Sequence, residues 1–182
     1  YTFISTMGKA MEAAAENDIE MVILDRPNPL GGVRMEGSLV RDGFYSFISQ
    51  FPIPYVHGLT SGELAKFLNE NYLEKPCRLT VIPMEGWRRD MTFDQTGLPW
   101  VLSSPHIPQA SSCLFYPATG IAGELYSLNI GVGYTLPFEL MAAEWIDNPE
   151  TLADNLNKIG LEGVIFRPIY YKPYYGAQQG QN

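Results

Sequence analysis

An α/β fold is what this sequence predicts, on three observations. Met7, Ala10, Met11 and Ala14 recur at helical spacing, so residues 6–17 read as an amphipathic helix. Ile19 to Leu24 then form a short, nearly continuous apolar run, the pattern of a buried parallel strand, and the run stops at Asp25. A second helix and a second strand follow, and such alternation points to an α/β sheet.

The second helix opens at Thr60-Ser61-Gly62-Glu63, a capping box in which the Thr60 hydroxyl accepts from the Glu63 N–H and the Glu63 carboxylate reaches back. Leu64, Phe67, Leu68 and Tyr72 supply its apolar face, and Leu79 to Ile82 is the next strand. Asn148 caps a third helix with Pro149 in its first turn; Leu152, Leu156 and Ile159 are its expected buried face and Gly160 its end. Val164-Ile165-Phe166 is expected to be a strand. Between these elements lie stretches rich in Pro, Gly and aromatics, residues 25–59, 83–112 and 117–137. Structureless segments of that length usually carry function. The Gln- and Gly-rich tail from Gly176 to Asn182 is expected to fray. A change of domain is expected between residues 110 and 123.

Composition narrows the function classes. A formal charge of −8 argues against a nucleic-acid protein, which needs a basic face, and against a basic membrane-surface helix. No apolar run is long enough to span a bilayer, and no basic-then-apolar leader is present. The chain opens at Tyr1-Thr2-Phe3-Ile4, as though cut from something longer. Cys77 and Cys113 lack metal-ligand spacing and read as structural, whether as buried thiols or as one bridge. With only His57 and His106, a histidine-rich metal site is excluded. Gly131-Val132-Gly133 lacks the third glycine of a dinucleotide fingerprint, and no phosphate-binding loop or nucleophile elbow occurs. Aromatics make up 13% of the chain and tyrosine dominates them, which suits a site that stacks rings on sugar faces, although core and surface packing is the better account of any single tyrosine.

In open α/β sheets ligands sit beyond the carboxyl ends of the strands. Two loops leave such ends. The first, Asp25-Arg26-Pro27-Asn28-Pro29-Leu30-Gly31-Gly32, carries Asp25, Arg26 and Asn28, with Arg34, Glu36 and His57 further on. The second carries Glu85, Trp87, Arg88, Arg89, Asp90 and Asp94. Carboxylates, guanidinium forks and an indole suit a polar, anionic, ring-shaped ligand. Each also has a plainer reading. Asp25 is a natural turn former, one of Arg88 and Arg89 a solvated charge, His57 a loop-backbone partner, and Trp87 and Trp100 core anchors.

The same loops resemble one family. Leu24-Asp25-Arg26-Pro27-Asn28-Pro29-Leu30-Gly31-Gly32, Pro52-Ile53-Pro54 with His57-Gly58 and Gly62-Glu63-Leu64-Ala65, and Met84-Glu85-Gly86-Trp87-Arg88-Arg89-Asp90-Met91 are similar to the exo-β-N-acetylmuramidases of the NamZ type, long known as a domain of unknown function, DUF1343. Thr96-Gly97-Leu98-Pro99-Trp100-Val101, Ser104-Pro105 and Pro137-Phe138-Glu139 extend the resemblance, which runs from about Ser5 to Pro173. It implies the remainder of a Rossmann-like domain over residues 1–115, then a smaller α/β (α+β) C-terminal domain over residues 116–182. It also implies an exported bacterial glycosidase, periplasmic or lipid-anchored, that removes terminal N-acetylmuramic acid from peptidoglycan fragments without metal or organic cofactor. The lactyl carboxylate of that sugar makes Arg26, Arg88 or Arg89 an expected anion-binding group, and Trp87 or Trp100 an expected ring platform.

Two departures qualify what the resemblance implies. The family's upstream Pro-Glu-His-Gly motif, whose Glu is the favoured catalytic acid, has no match in this chain, so the missing N-terminal half is an expected partner and the piece alone is expected to be inactive. The segment from Gly123 through Glu124 to Thr135 places Val132 where the family usually has Arg. Glycoside hydrolysis needs an acid and a base or nucleophile. The ranking for the second group is Glu85, then Glu36, then Asp25, with His57 as an orienting or proton-sharing group and Glu124 as a further substrate contact. The rival readings are a non-catalytic muropeptide-binding paralogue and a structural piece of a cell-envelope assembly.

Overall fold

The computed structural model describes residues 2–180, so Tyr1, Gln181 and Asn182 lie outside the described residues. The chain divides into two compact units, Tyr1–Trp100 and Val101–Asn182. The first holds helix α1 (Thr2–Glu16), strand β1 (Glu20–Leu24), helix α2 (Ser61–Asn71), strand β2 (Arg78–Ile82) and a 3-10 turn at Phe93–Thr96. The second holds α3 (Ser112–Gly123) and α4 (Pro149–Lys158).

In the first unit β1 and β2 pair in parallel, Glu20 opposite Arg78 through Leu24 opposite Ile82. Met21, Ile23 and Leu79 pack against a core of Met11, Ala14, Ala15, Ala65 and Cys77, so α1 and α2 cover that face. Successive strand residues point to opposite faces. The other face is therefore open: Val22 is 50% exposed, Leu24 70% and Ile82 48%. The apolar run Ile19 to Leu24 thus does not make the fully buried strand expected of it, because helices cover only one side of this sheet. Helix α1 begins at Thr2, four residues before its expected start, and Ala10 faces solvent while Met11 and Ala14 are buried.

The capping box forms as expected: Glu63 N donates to Thr60 Oγ1 at 3.2 Å, and Thr60 N donates to Glu63 Oε2 at 3.0 Å. Leu64 and Leu68 join Phe51 and Ile53 in a second core cluster. Residues 25–59 are therefore not a structureless stretch. That segment sends Phe51, Ile53 and Val56 inward and closes an antiparallel bridge between Glu36 and Val56. The turn into β2 is tied by Asn69, whose Nδ2 donates to Cys77 O at 3.1 Å while Oδ1 accepts from Cys77 N at 2.9 Å. Cys77 and Cys113 are free thiols, and burial pushes both above the usual thiol range.

The second unit departs further from the sequence expectation. Helix α3 occupies the start of the stretch 117–137 expected to be irregular, with Pro117 inside it. Proline lacks the N–H that an interior helical position donates, which is why this segment does not read as helix. Asn148 caps α4, its Oδ1 accepting from Thr151 N at 2.7 Å, and Pro149 fills the first turn as expected. Its expected apolar face is not buried: Leu152 is 40% exposed and Ile159 64%, and Ala153 is the helix's buried residue. Val164-Ile165-Phe166 forms no strand. The Asn157 amide takes both backbone groups of Phe166, each at 2.8 Å, and so replaces a strand partner. The tail from Gly176 to Gly180 is tied down rather than frayed, through Ala177 O to Asn129, the Gln178 side chain to Glu144 N, and Gly180 N to Pro173 O.

Asn69→Ala leaves the Cys77 N–H and C=O without their partners, and unfolding in urea should show a loss of about 1–3 kcal/mol. A midpoint equal to wild type would mean that water replaces both bonds.

Candidate functional site

The loops after β1 and β2 converge on the N-terminus of α2. Asp25, the residue after β1, is the hub. Its Oδ2 accepts from Thr60 Oγ1 at 2.8 Å, and its Oδ1 accepts from Gly62 N at 2.7 Å and Arg26 N at 2.9 Å. A carboxylate there meets unsatisfied helix N–H groups and the positive end of the helix dipole. Gly62 permits the approach: a Cβ on it would lie 2.9 Å from Asp25 Cγ and 2.5 Å from Val81 Cγ1. Asp25 therefore orients the loop, and both of its oxygens are occupied by protein donors.

Arg89 ties the second loop to this frame. Nη1 donates to Gly32 O at 2.9 Å and Gly58 O at 3.0 Å, Nη2 pairs with the Glu63 carboxylate, and Arg89 O accepts from Gly32 N at 2.7 Å. One planar fork thus ties the loop after β2 to two points of the β1–α2 connection and to the first turn of α2. Gly32 makes room for it, since a Cβ there would stand 2.5 Å from Arg89 Cγ and 3.1 Å from the Trp87 ring. Asn28 adds a fourth tie, Nδ2 donating to Leu59 O at 3.0 Å while Oδ1 accepts from Leu30 N at 3.0 Å. Asp25, Asn28 and Arg89 are held by the protein itself. Arg88 forms an exposed pair with Asp90 at 3.2 Å, which suits its plainer reading as a solvated charge.

His57 sits among these loops, with Nδ1 accepting from Leu59 N at 3.1 Å. The proton of the neutral ring therefore resides on Nε2. Burial pushes the His57 pKa below its ordinary value, so the ring is neutral at pH 7. Glu36 lies on the bridge to Val56, one residue from His57. Glu85 is exposed in the turn after β2. Among the described residues no hydrogen bond or ion pair occupies the side chains of Arg26, Arg34, Glu36 or Glu85. These are the groups left open to a ligand. Trp87 is half-buried with its indole N–H unpaired. Trp100 meets Phe93 edge-on at 4.9 Å, as a core anchor does. Glu124 belongs to the second unit, exposed at the end of α3.

The sequence alone missed Thr60 as a site residue. Its hydroxyl serves the helix cap and Asp25 together, and only the cap is visible as a local spacing. The carbonyls of Gly32 and Gly58, which receive Arg89, have no sequence signal beyond the glycines. No group of three or more His, Cys, Asp and Glu side chains is placed to hold a metal among the described residues, and no helix is long and apolar enough to cross a membrane.

Two outcomes are expected of this geometry. Arg89→Lys cannot keep the fork, so it should cost about 1–3 kcal/mol in urea unfolding and speed amide exchange at Gly32; unchanged exchange would remove Arg89 as the tie. For His57 the folded state binds fewer protons than the unfolded state, whose pKa is near the ordinary value of about 6.5. That contribution to stability is complete above that value and is lost as pH falls through it toward the lower folded value. The thermal midpoint of His57→Gln should therefore fall less than that of wild type between about pH 7.5 and 5.5. Parallel curves would show that His57 titrates alike in both states.

The chain has known relatives along its whole length. The family description "Exo-beta-N-acetylmuramidase NamZ, N-terminal" matches residues 1–111, and "Exo-beta-N-acetylmuramidase NamZ, C-terminal" matches residues 114–182. The chain is 45% identical over 180 residues to the peptidoglycan beta-N-acetylmuramidase NamZ of Bacillus subtilis (strain 168), covering 99% of this chain and 43% of that protein. A DUF1343 family protein from Bacteroides fragilis, solved as a crystal structure, is 58% identical with a TM-score of 0.92, covering all of this chain and 47% of its own. A second from the same organism is 27% identical with a TM-score of 0.75 and also covers 47% of its own chain. The chain thus spans a little under half the length of these relatives. Matched by both domain descriptions and 45% identical to a named relative over 99% of its length, the chain belongs to the NamZ family of exo-β-N-acetylmuramidases.

Proposed function

We propose that this chain is part of a glycoside hydrolase that removes terminal N-acetylmuramic acid from peptidoglycan fragments. The observation that carries this reading is the 45% identity over 99% of the chain to a protein named for that activity. The geometry is compatible with it. Asp25, Asn28 and Arg89 hold two loops rigidly, and Glu85, Glu36 and the His57 Nε2–H remain for chemistry. Glycosidases need a proton donor at the leaving oxygen and a base or nucleophile across the ring. Glu85 is the first choice for one of these roles and Glu36 the second, with His57 orienting or sharing a proton. Arg26 and Arg88 suit the lactyl carboxylate, Arg88 on exchanging Asp90 for the ligand, and the Trp87 indole suits the ring. Asp25, Asn28 and Arg89 then act as positioning residues, and Trp100 as the packing under the second loop.

The same reading makes the two-stranded sheet part of a larger Rossmann-like sheet. Its support is the open face carrying Val22, Leu24 and Ile82, since parallel sheets are ordinarily covered on both sides. A peptidoglycan substrate goes with an exported protein, periplasmic or lipid-anchored at the cell envelope.

Glu85→Gln in the intact protein should lower turnover of a chromogenic N-acetylmuramic acid glycoside by roughly a hundredfold or more. Unchanged turnover would pass the role to Glu36. Free sugar released from a muramic-acid-terminated disaccharide supports the hydrolase, whereas saturable binding without release would replace it with a binding protein.

A further inference from the structure

We propose that β1 is an inner strand of the intact protein, and that its open edge takes a parallel strand from the segment leading into α1. The inference rests on the larger-sheet reading above and not on the sugar chemistry.

Hydrogen bonding identifies the open edge. Asp25 N donates to Ile82 O at 3.0 Å, so Met21 and Ile23, in the same phase, turn their backbone groups toward β2. Backbone groups alternate between the two edges of a strand. The N–H and C=O of Val22 and Leu24 therefore point the other way, and among the described residues no strand pairs with them. Bare edges of this kind are ordinarily paired or covered. The relatives are more than twice as long as this chain, which leaves polypeptide to supply a partner.

The two helices specify which segment it is. Helix α2 joins β1 to β2 and packs on both strands, whereas α1 packs on β1 and on α2. Both helices lie on one face, over Met21, Ile23 and Leu79. Crossovers between parallel strands are almost always right-handed. Successive crossovers of one hand, with their helices on one face, advance across a sheet in one direction. The step through α2 runs from β1 to β2, so the step through α1 arrives from the opposite side, where the edge is open. The widths agree. A helix is about 10 Å across and strands lie about 4.8 Å apart, so α1 reaches about one strand beyond β1.

Helix α1 carries a second sign. Its α2 side is marked by Gly8, which meets Phe51, and by Glu12, which accepts from Gln50, while Phe51 packs with Leu64 and Leu68 of α2. Phe3, Thr6, Ala10 and Ala13 follow one line down the other flank; all four are exposed and none is charged. A flank that met water in the intact protein would ordinarily carry charges, as the line Lys9, Glu12 and Glu16 does. The consequence concerns the site. A parallel strand at this edge ends beside Asp25, so the residues between it and α1 border the Asp25–Gly32 loop on the side away from the Glu85 loop.

The test is nuclear magnetic resonance of the intact, isotope-labelled protein, in which couplings across hydrogen bonds identify the carbonyl that each amide meets. The Val22 and Leu24 N–H groups should couple, in that order along the chain, to carbonyls two residues apart in the segment immediately ahead of α1. Their deuterium exchange should be slowed to within about tenfold of that at Ile23. Acceptors in any other segment, acceptors in the reverse order of an antiparallel ladder, or no coupling with rapid exchange would each overturn the strand. The expected couplings in a protein that releases no muramic acid would sink the hydrolase and leave the strand standing. Muramic acid release with acceptors elsewhere would do the reverse.

Discussion

Asp25 seated on the N-terminus of α2 is the interaction on which the first unit's site depends. The carboxylate closes β1, accepts from the first turn of the helix and fixes where the following loop departs. The contact joins a strand end to a helix start, and these are the two places where regular structure leaves polar groups unpaired. Thr60 serves it twice, donating to Asp25 and accepting from Glu63 N. Glu63 in turn meets Arg89, so the cap of one helix becomes the anchor of the loop beyond β2. The site is rigid because one chain of charge-assisted hydrogen bonds runs through it.

That frame separates groups that hold from groups that are free to react. Asp25, Asn28 and Arg89 have the residue types of a ligand site, yet their polar atoms are turned onto backbone carbonyls, amides and a cap. Glu36, Glu85 and the far nitrogen of His57 are not used in this way. A catalytic carboxylate must meet its substrate at a fixed position, and loops acquire such fixity only when other residues immobilise them. The motifs of the family therefore mix both kinds of residue, and recognising a motif does not distinguish them.

The second unit uses an analogous device with different chemistry. The buried amide of Asn129 gathers the backbone after Tyr174 and the hydroxyl of Tyr171, where the first unit uses a carboxylate and a guanidinium. An amide suits this place because it donates and accepts at once and carries no charge into a buried position.

Short-range order was legible in the sequence. The capping box and apolar stripe of α2, the strand spans of β1 and β2 and the proline-led start of α4 depend on neighbours a few residues apart, and each formed as its spacing dictates. The loop motifs likewise carried the family, because their residue order survives without knowledge of the fold. Long-range order was not legible. Whether Val22 and Leu24 are covered, whether Leu152 and Ile159 face a core, and whether Val164 to Phe166 find a strand partner are settled by what the chain places opposite them. Helix α3 was hidden for a related reason, since Pro117 argues locally against a conformation that its surroundings impose. Asp25 shows the division most plainly. The sequence put a carboxylate at a strand end, but the tertiary structure brought Thr60 and Gly62 to it, because hydrogen bonds between residues 35 and 37 positions apart depend on chain folding and not on local spacing.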